Sequence, residues 1–254
     1  MNYIETKKFD GICWMCKERI ADSGEHKDKK SDLKYFMNTI DDPVIMKKNR
    51  KKWINGINSS SLKYEKVICQ LCNNQRSKTI DNAYDLFSKK YILTLNKKLT
   101  NISFNDSTVK MDVFRYLAKN FCCRLVQNNV NLSQDLIDFV NGKLPYPRRL
   151  IIEPYSNYKT NLAEKNNLLI NDVNSDIALF GRGSLMYCSN SNNKQEITII
   201  YSTLICNNLI FEFMYLNQDV SLEKQKDLIE VGLIQYTKPN NIPERVKMIL
   251  KNYV

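Results

Sequence analysis

The chain has 254 residues, 43% of them hydrophobic and 26% charged, with a formal charge of +11. That length supports one large core or two smaller ones, and the apolar share excludes wholesale disorder. No run approaches the roughly 18–20 apolar residues of a membrane span, and Met1–Lys8 lacks the apolar stretch of a secretory signal, so a cytoplasmic protein without a membrane partner is expected.

Residues 1–20 lead into the turn Cys13-Trp14-Met15-Cys16, and residues 27–60 read as charged and irregular, with Asp42-Pro43 and Ser59-Ser60-Ser61 as turn signals. Val67-Ile68 is a short strand running into Cys69. The pattern then becomes helical: Ile80, Tyr84, Phe87 and Tyr91 share one face, while Asp81, Asp85, Lys89 and Lys90 take the other. The polar stretch 99–108 holds the expected linker, 101–108, which divides a first unit (1–100) from a second (109–254).

The second unit opens with a helix carrying Phe114, Leu117, Phe121 and Leu125 on one stripe. Ser133 is placed as the N-cap of a short helix from Gln134 to Val140, closed by Asn141-Gly142. Beyond Pro145-Tyr146-Pro147, strands are expected at Leu150–Ile152, Ala178–Cys188 and Glu196–Tyr201. Thr203–Cys206, the turn-prone Asn207-Asn208 and Leu209–Tyr215 complete a hairpin. Helical patterns return at Leu222–Val231 and Pro243–Asn252. The expected class is α+β.

Charge follows the same division. Residues 1–100 hold 21 Lys/Arg against 12 Asp/Glu, a net of +9, whereas residues 101–254 hold 17 against 15, a net of +2. The density peaks at Lys47, Lys48, Arg50, Lys51 and Lys52. Such a field suits a polyanion, because cations on the protein release counterions condensed on nucleic acid. A solvated basic surface is the other reading of the same charges.

The eight cysteines fall into unlike groups. Cys122, Cys123, Cys188 and Cys206 follow no ligand spacing and read as small apolar fillers. Cys13, Cys16, Cys69 and Cys72 form two C-x-x-C pairs, and two turns that each offer two thiolates satisfy the tetrahedral preference of Zn2+. Such a site is closed and therefore structural, pinning together segments about 50 residues apart. Free thiols or a redox pair explain two separated pairs less well, since no thioredoxin-like βαβ pattern surrounds them.

His26, the chain's single histidine, follows Glu25 in Asp22-Ser23-Gly24-Glu25-His26, and Asn73 follows the second pair directly. The zinc is expected to bring these residues into one neighbourhood. A carboxylate and an amide oxygen are hard ligands suited to Mg2+ or Mn2+, and neutral imidazole is a general base near pH 7. Together they read as a phosphodiester hydrolysis site.

Cys13-x-x-Cys16, Ser23-Gly24-Glu25-His26, Cys69-x-x-Cys72-Asn73-Asn74, Arg76-Ser77 and Asp81 resemble the zinc-containing branch of the HNH (ββα-metal) endonucleases over residues 11–95. The resemblance implies His26 as the base that activates water, Glu25 and Asn73 as ligands of a catalytic divalent ion, and the four cysteines as structural zinc ligands. Arg76 is placed for a phosphate contact, and Asp81 matches a recurrent acidic position. One position departs: the middle Asn of the pattern is expected about five residues before the second pair, where this chain has Tyr64-Glu65, with Asn55 and Asn58 nearby. The expectation is therefore a zinc-stapled HNH-like module followed by a separate α+β domain. The expected function is an endonuclease acting on nucleic acid, DNA above RNA, in phage defence, a mobile element or a toxin system. The C-terminal part is then free for a protein partner or self-association. The alternative is a zinc-stabilised nucleic-acid-binding protein without catalysis.

Overall fold

The computed structural model of the chain describes residues 3–39, 47–48, 52–53, 56–93, 107–156, 180–183, 185–190, 193–207, 209–219 and 234–235. It is a mixed α+β fold. Among the described residues, no helix is long and apolar enough to cross a membrane.

Residues 27–60 were expected to be irregular, yet α1 spans Lys30–Thr39. Leu33 is buried, and so is Asp32, whose carboxylate accepts the Ser88 hydroxyl at 2.7 Å, so a polar contact does part of the anchoring. In the basic run, β1 (Lys47–Lys48) pairs antiparallel with β2 (Lys52–Trp53), while Arg50 and Lys51 lie outside the described residues. A 3-10 turn at Ser60–Leu62 and a π-turn at Cys72–Arg76 precede α2, Lys78–Tyr91. The expected stripe Ile80, Tyr84, Phe87 and Tyr91 is buried.

The expected linker is described only from residue 107, where α3 (Ser107–Gln127) begins. The core does not divide there. α3 buries not only Phe114, Leu117, Phe121 and Leu125 but also Val113, Tyr116, Ala118, Lys119, Asn120, Cys122 and Cys123. A helix covered on every side sits inside a core, not on the edge of a separate domain. The Tyr84 ring of α2 stacks on Tyr116 with centroids 4.0 Å apart, and the Trp14 indole donates to Cys123 Sγ at 3.4 Å. On its far side Phe121 stacks on Phe213 at 4.8 Å. The residues expected to form two units thus share one hydrophobic core around α3.

α4 runs Gln134–Val140 as expected, with Gly142 at φ 76 after it. Ser133 occupies the cap position, but its hydroxyl caps nothing, and its backbone N–H donates instead to the Tyr215 hydroxyl at 2.9 Å. The sheet contains β3 (Leu150–Ser156), β4 (Phe180–Arg182), β5 (Met186–Asn190), β6 (Asn193–Cys206), β7 (Leu209–Leu216) and β8 (Ile234–Gln235). Its order is β4-β6-β7-β3-β8, and β5 continues along the β4 edge of β6. All pairings are antiparallel except β3 with β8. The β6–β7 hairpin closes with Cys206 opposite Leu209 and Asn207 at φ 49, the left-handed conformation its turn type demands. The single strand expected over Ala178–Cys188 is broken at Gly183 into β4 and β5. Leu222–Val231 and Pro243–Asn252 lie outside the described residues.

Candidate metal centre and the segment around His26

The first cysteine pair sits on a tight knuckle. Ile12 bridges Ile20, the Cys13 N–H donates to Arg19 O at 2.7 Å, and the Lys17 N–H donates back to Cys13 O at 2.8 Å. Lys17, directly after Cys16, takes the left-handed φ of 60 that lets the chain reverse. The second pair lies on a helical turn: the Asn73 N–H donates to Cys69 O at 2.9 Å and the Ser77 N–H to Cys72 O at 3.2 Å. Asp22 accepts the Gln70 N–H at 2.7 Å and so ties the two ligand segments together.

The four Sγ atoms lie within 4.8 Å of one another, and Cys16 and Cys69 are 3.9 Å apart. A tetrahedron with Zn–S bonds of about 2.3 Å has S–S edges of about 3.8 Å. Burial pushes the Cys13 and Cys72 thiols up; for Cys16 burial acts the same way, but the backbone N–H groups of Glu18 and Arg19 outweigh it and lower that thiol to about 7. Four sulfurs converging in a largely buried pocket gain from a cation that turns them into thiolates. The donor set fits a structural metal such as zinc.

From the first cysteine knuckle the chain enters a short antiparallel ladder. Ser23 bridges Ile68 and His26 bridges Lys63; the Tyr64 N–H donates to Glu25 O and the Lys27 N–H to Leu62 O, each at 2.8 Å. Gly24 packs so closely that a Cβ there would overlap the Tyr64 carbonyl oxygen. Glu25 and His26 are successive in this ladder, so their side chains leave it on opposite sides.

On the Glu25 side lies Lys119, in the middle of α3 and fully buried. Its ammonium is 3.0 Å from Glu25 Oε2, 3.1 Å from Asp81 Oδ1 and 3.1 Å from Ser77 Oγ, which uses all three of its donors. Burial alone would lower its pKa; Glu25 and Asp81 more than reverse that and hold it above the ordinary lysine range. Ser77 Oγ also lies 2.6 Å from Asp81 Oδ2 and 2.8 Å from Asn73 O, and Asn73 Nδ2 donates to Ser23 Oγ at 3.0 Å. Lys29 adds a second cation, 3.5 Å from Asp81 and 3.6 Å from Asp85.

On the other side, His26 Nε2 is buried without a hydrogen-bond partner. Burial first, then Lys63, Lys30 and Lys29, lower the imidazole to about 4, so it is neutral at pH 7. The backbone of its segment is held from the C-terminal part of the chain. Asn120 Nδ2 donates to His26 O at 2.9 Å and to Lys27 O at 3.1 Å. Asn120 Oδ1 accepts from the Tyr64 hydroxyl and from Arg182 Nη1, both at 3.1 Å. Arg182 on β4 also pairs with the buried Asp28 at 3.3 Å. Tyr64, which stands where the HNH pattern expects its middle Asn, therefore reaches the segment through Asn120.

The expected site residues thus separate. The four cysteines expected to bind zinc converge. Glu25 and Asn73 share a neighbourhood through Lys119 and Ser77, but Asn73 Oδ1 has no hydrogen-bond partner and Glu25 is paired with an ammonium. A divalent ion about 4 Å from that ammonium would be opposed by roughly 8 kcal/mol at an effective dielectric of about 20. The Glu25–Asn73 pair, expected to hold Mg2+ or Mn2+, does not fit a divalent ion while Lys119 stands there. Arg76 is exposed, with its guanidinium 3.9 Å from Cys72 Sγ; Asn58 is exposed, and Asn55 lies outside the described residues. Of the remaining cysteines, Cys122, Cys123 and Cys206 are buried and Cys188 is half-buried.

No family model matches the chain, and no curated protein or solved structure matches it. The residues missed by sequence reasoning are Lys119, Asn120 and Arg182, all from the part read as an accessory domain.

Proposed function

We propose that the protein is a zinc-stapled nucleic-acid-binding hydrolase of the HNH kind that cleaves phosphodiester bonds with His26 as general base, DNA being the expected substrate. The observation that carries this reading is the state of His26: neutral, with its buried Nε2 lacking a partner, on a backbone segment fixed by Asn120, and under the positive charge of Lys63 and Lys30. A base must be unprotonated and rigidly aimed before substrate arrives. The lysines that depress the imidazole are the groups that would attract a phosphodiester. A bound phosphate offsets their charge, so the imidazole becomes more basic when the anion binds. His26 then takes the proton of a water whose oxygen bonds to phosphorus as the P–O bond to the leaving sugar oxygen breaks; that oxygen picks up a proton from solvent, and Lys63 and Lys30 stabilise the negative charge that builds on the phosphoryl oxygens.

The antiparallel ladder followed by a helix, stapled by four cysteines, supports the HNH assignment, and the basic N-terminal part supports a polyanion. Phage defence, a mobile element or a toxin system is the setting we infer from the resemblance. A non-catalytic nucleic-acid-binding role is the second reading, favoured by one observation: Glu25 is committed to Lys119.

Nicking of supercoiled plasmid by the zinc-loaded protein, beside a gel-shift assay, tests the choice. Cleavage lost in His26→Ala with binding retained supports the enzyme. Binding without cleavage in the wild-type protein, with and without Mg2+ or Mn2+, leaves the binding role and refutes catalysis.

A further inference from the structure

Glu25, Asp81 and Ser77 gather two carboxylates and a hydroxyl around one point, oxygens of the kind a hard divalent cation prefers. We propose that Lys119 is the resident cation of this cluster, standing where the HNH pattern calls for a divalent ion and keeping one out. Several features favour this. The ammonium is fully buried, its three donors are matched to Glu25, Asp81 and Ser77 at 3.0–3.1 Å, and it projects from the central helix of the core, so it cannot swing aside without unpacking α3. Lys29 supplies a second positive charge to Asp81, 3.5 Å away. The carboxylates are balanced without any ion from solution.

Ligand distances point the same way. The oxygens stand 3.0–3.1 Å from Lys119 Nζ, the spacing of an N–H···O contact and wider than the roughly 2.0–2.1 Å that magnesium needs. The cation here is thus covalently part of the chain and comes from residues outside the N-terminal module. For the nuclease reading, on which this consequence rests, cleavage proceeds without added Mg2+ or Mn2+.

The test is Mn2+ binding, followed by electron paramagnetic resonance on zinc-loaded full-length protein, with wild type, Lys119→Gln, Glu25→Gln and the double variant. The wild type is expected to show no Glu25-dependent Mn2+ binding below millimolar concentration. Lys119→Gln, which removes the charge and keeps two N–H donors on a side chain one atom shorter, should bind Mn2+ at least tenfold more tightly, and the double variant should lose that gain. Thermal melts of Lys119→Gln with and without Mn2+ give a second readout, a rise in Tm that the wild type does not show. Saturable Mn2+ binding to the wild type that Glu25→Gln abolishes would overturn the proposal, whatever the Lys119 variants do. Because no cleavage is read, failure here is separate from failure of the nuclease reading, which the plasmid assay decides.

Discussion

Removal of the Asn120 side chain tests the hold on the His26 segment most directly. The residue is 2% exposed and makes four hydrogen bonds. Its orientation is fixed by chemistry: the Arg182 guanidinium only donates, so the atom facing it is Oδ1, and the amide nitrogen faces the His26 and Lys27 carbonyls. Asn120→Ala leaves two carbonyls, a phenol and a guanidinium N–H short of a partner in a buried setting. Each orphaned group costs about 1–3 kcal/mol, part of which water entering the vacated space recovers. A loss of roughly 3–5 kcal/mol follows, about 10 °C in Tm for a folded unit of this size. Asn120→Asp is sharper. It turns the two donated bonds into oxygen–oxygen repulsions, at about 2–4 kcal/mol, and strengthens the acceptor contact with Arg182, so amide exchange and not the melt alone reports the hold on His26 and Lys27. Calorimetric melts give the stability, and amide exchange across residues 25–28 locates the loss. If Asn120→Asp leaves that exchange unchanged, or Asn120→Ala falls by less than 2 °C, Asn120 does not carry this segment.

Gly24→Ala should part the ladder at the Tyr64 carbonyl, lowering Tm by several degrees and accelerating amide exchange at Tyr64; an unchanged melt contradicts that close approach. Metal analysis should find about one zinc per chain, and Cys69→Ser should weaken its retention at least a hundredfold; zinc held equally well would undo the four-sulfur site. Residues 1–105 alone should give a poorly dispersed NMR spectrum, since they lack α3, on which the α2 stripe packs; a dispersed spectrum would restore the independent module. Stability should vary little between about pH 4 and pH 6, because two groups oppose each other. Burial, aided by Lys63, holds His26 at about 4 against 6.5, so the unfolded chain takes up its proton first and stability falls as pH drops through that window. Burial, opposed by the Ser88 hydroxyl, raises Asp32 to about 6 against 3.8, so the folded chain takes up that proton first and stability rises as pH drops. Asp32→Asn should therefore expose a loss of stability on acidification and His26→Gln a gain, each of order 1 kcal/mol after discounting for solvent screening at His26; two parallel profiles would show that the windows do not overlap.

Local chemistry was legible in the sequence. The C-x-x-C pairs announce themselves because ligand spacing is a property of the chain alone, and the hairpin at Asn207 because a left-handed turn needs particular residues. α2 and α4 were read from apolar periodicity and breakers. α1 was not, because one of its anchors is the buried Asp32 on Ser88, and a buried carboxylate looks in sequence like a solvated one. The π-turn at Cys72–Arg76 follows from where the second cysteine pair must point, which spacing does not encode.

Lys119 and Asn120 were hidden for a related reason. A single stripe on α3 implies that the rest of the helix faces water, and these two residues then pass as its polar face. The run from Val113 to Cys123 carries a contrary signal: too few polar residues stand in it for a surface helix, so those that remain must meet partners inside. Their partners are Glu25, Asp81 and the carbonyls of His26 and Lys27. The Tyr64 hydroxyl also ends on Asn120, so α3 provides support that the ladder itself lacks. The segment bearing His26 is held between Lys119 and Asn120 of α3 and Arg182 of β4, so any chemistry at His26 depends on the integrity of the sheet as well as on the four-cysteine site.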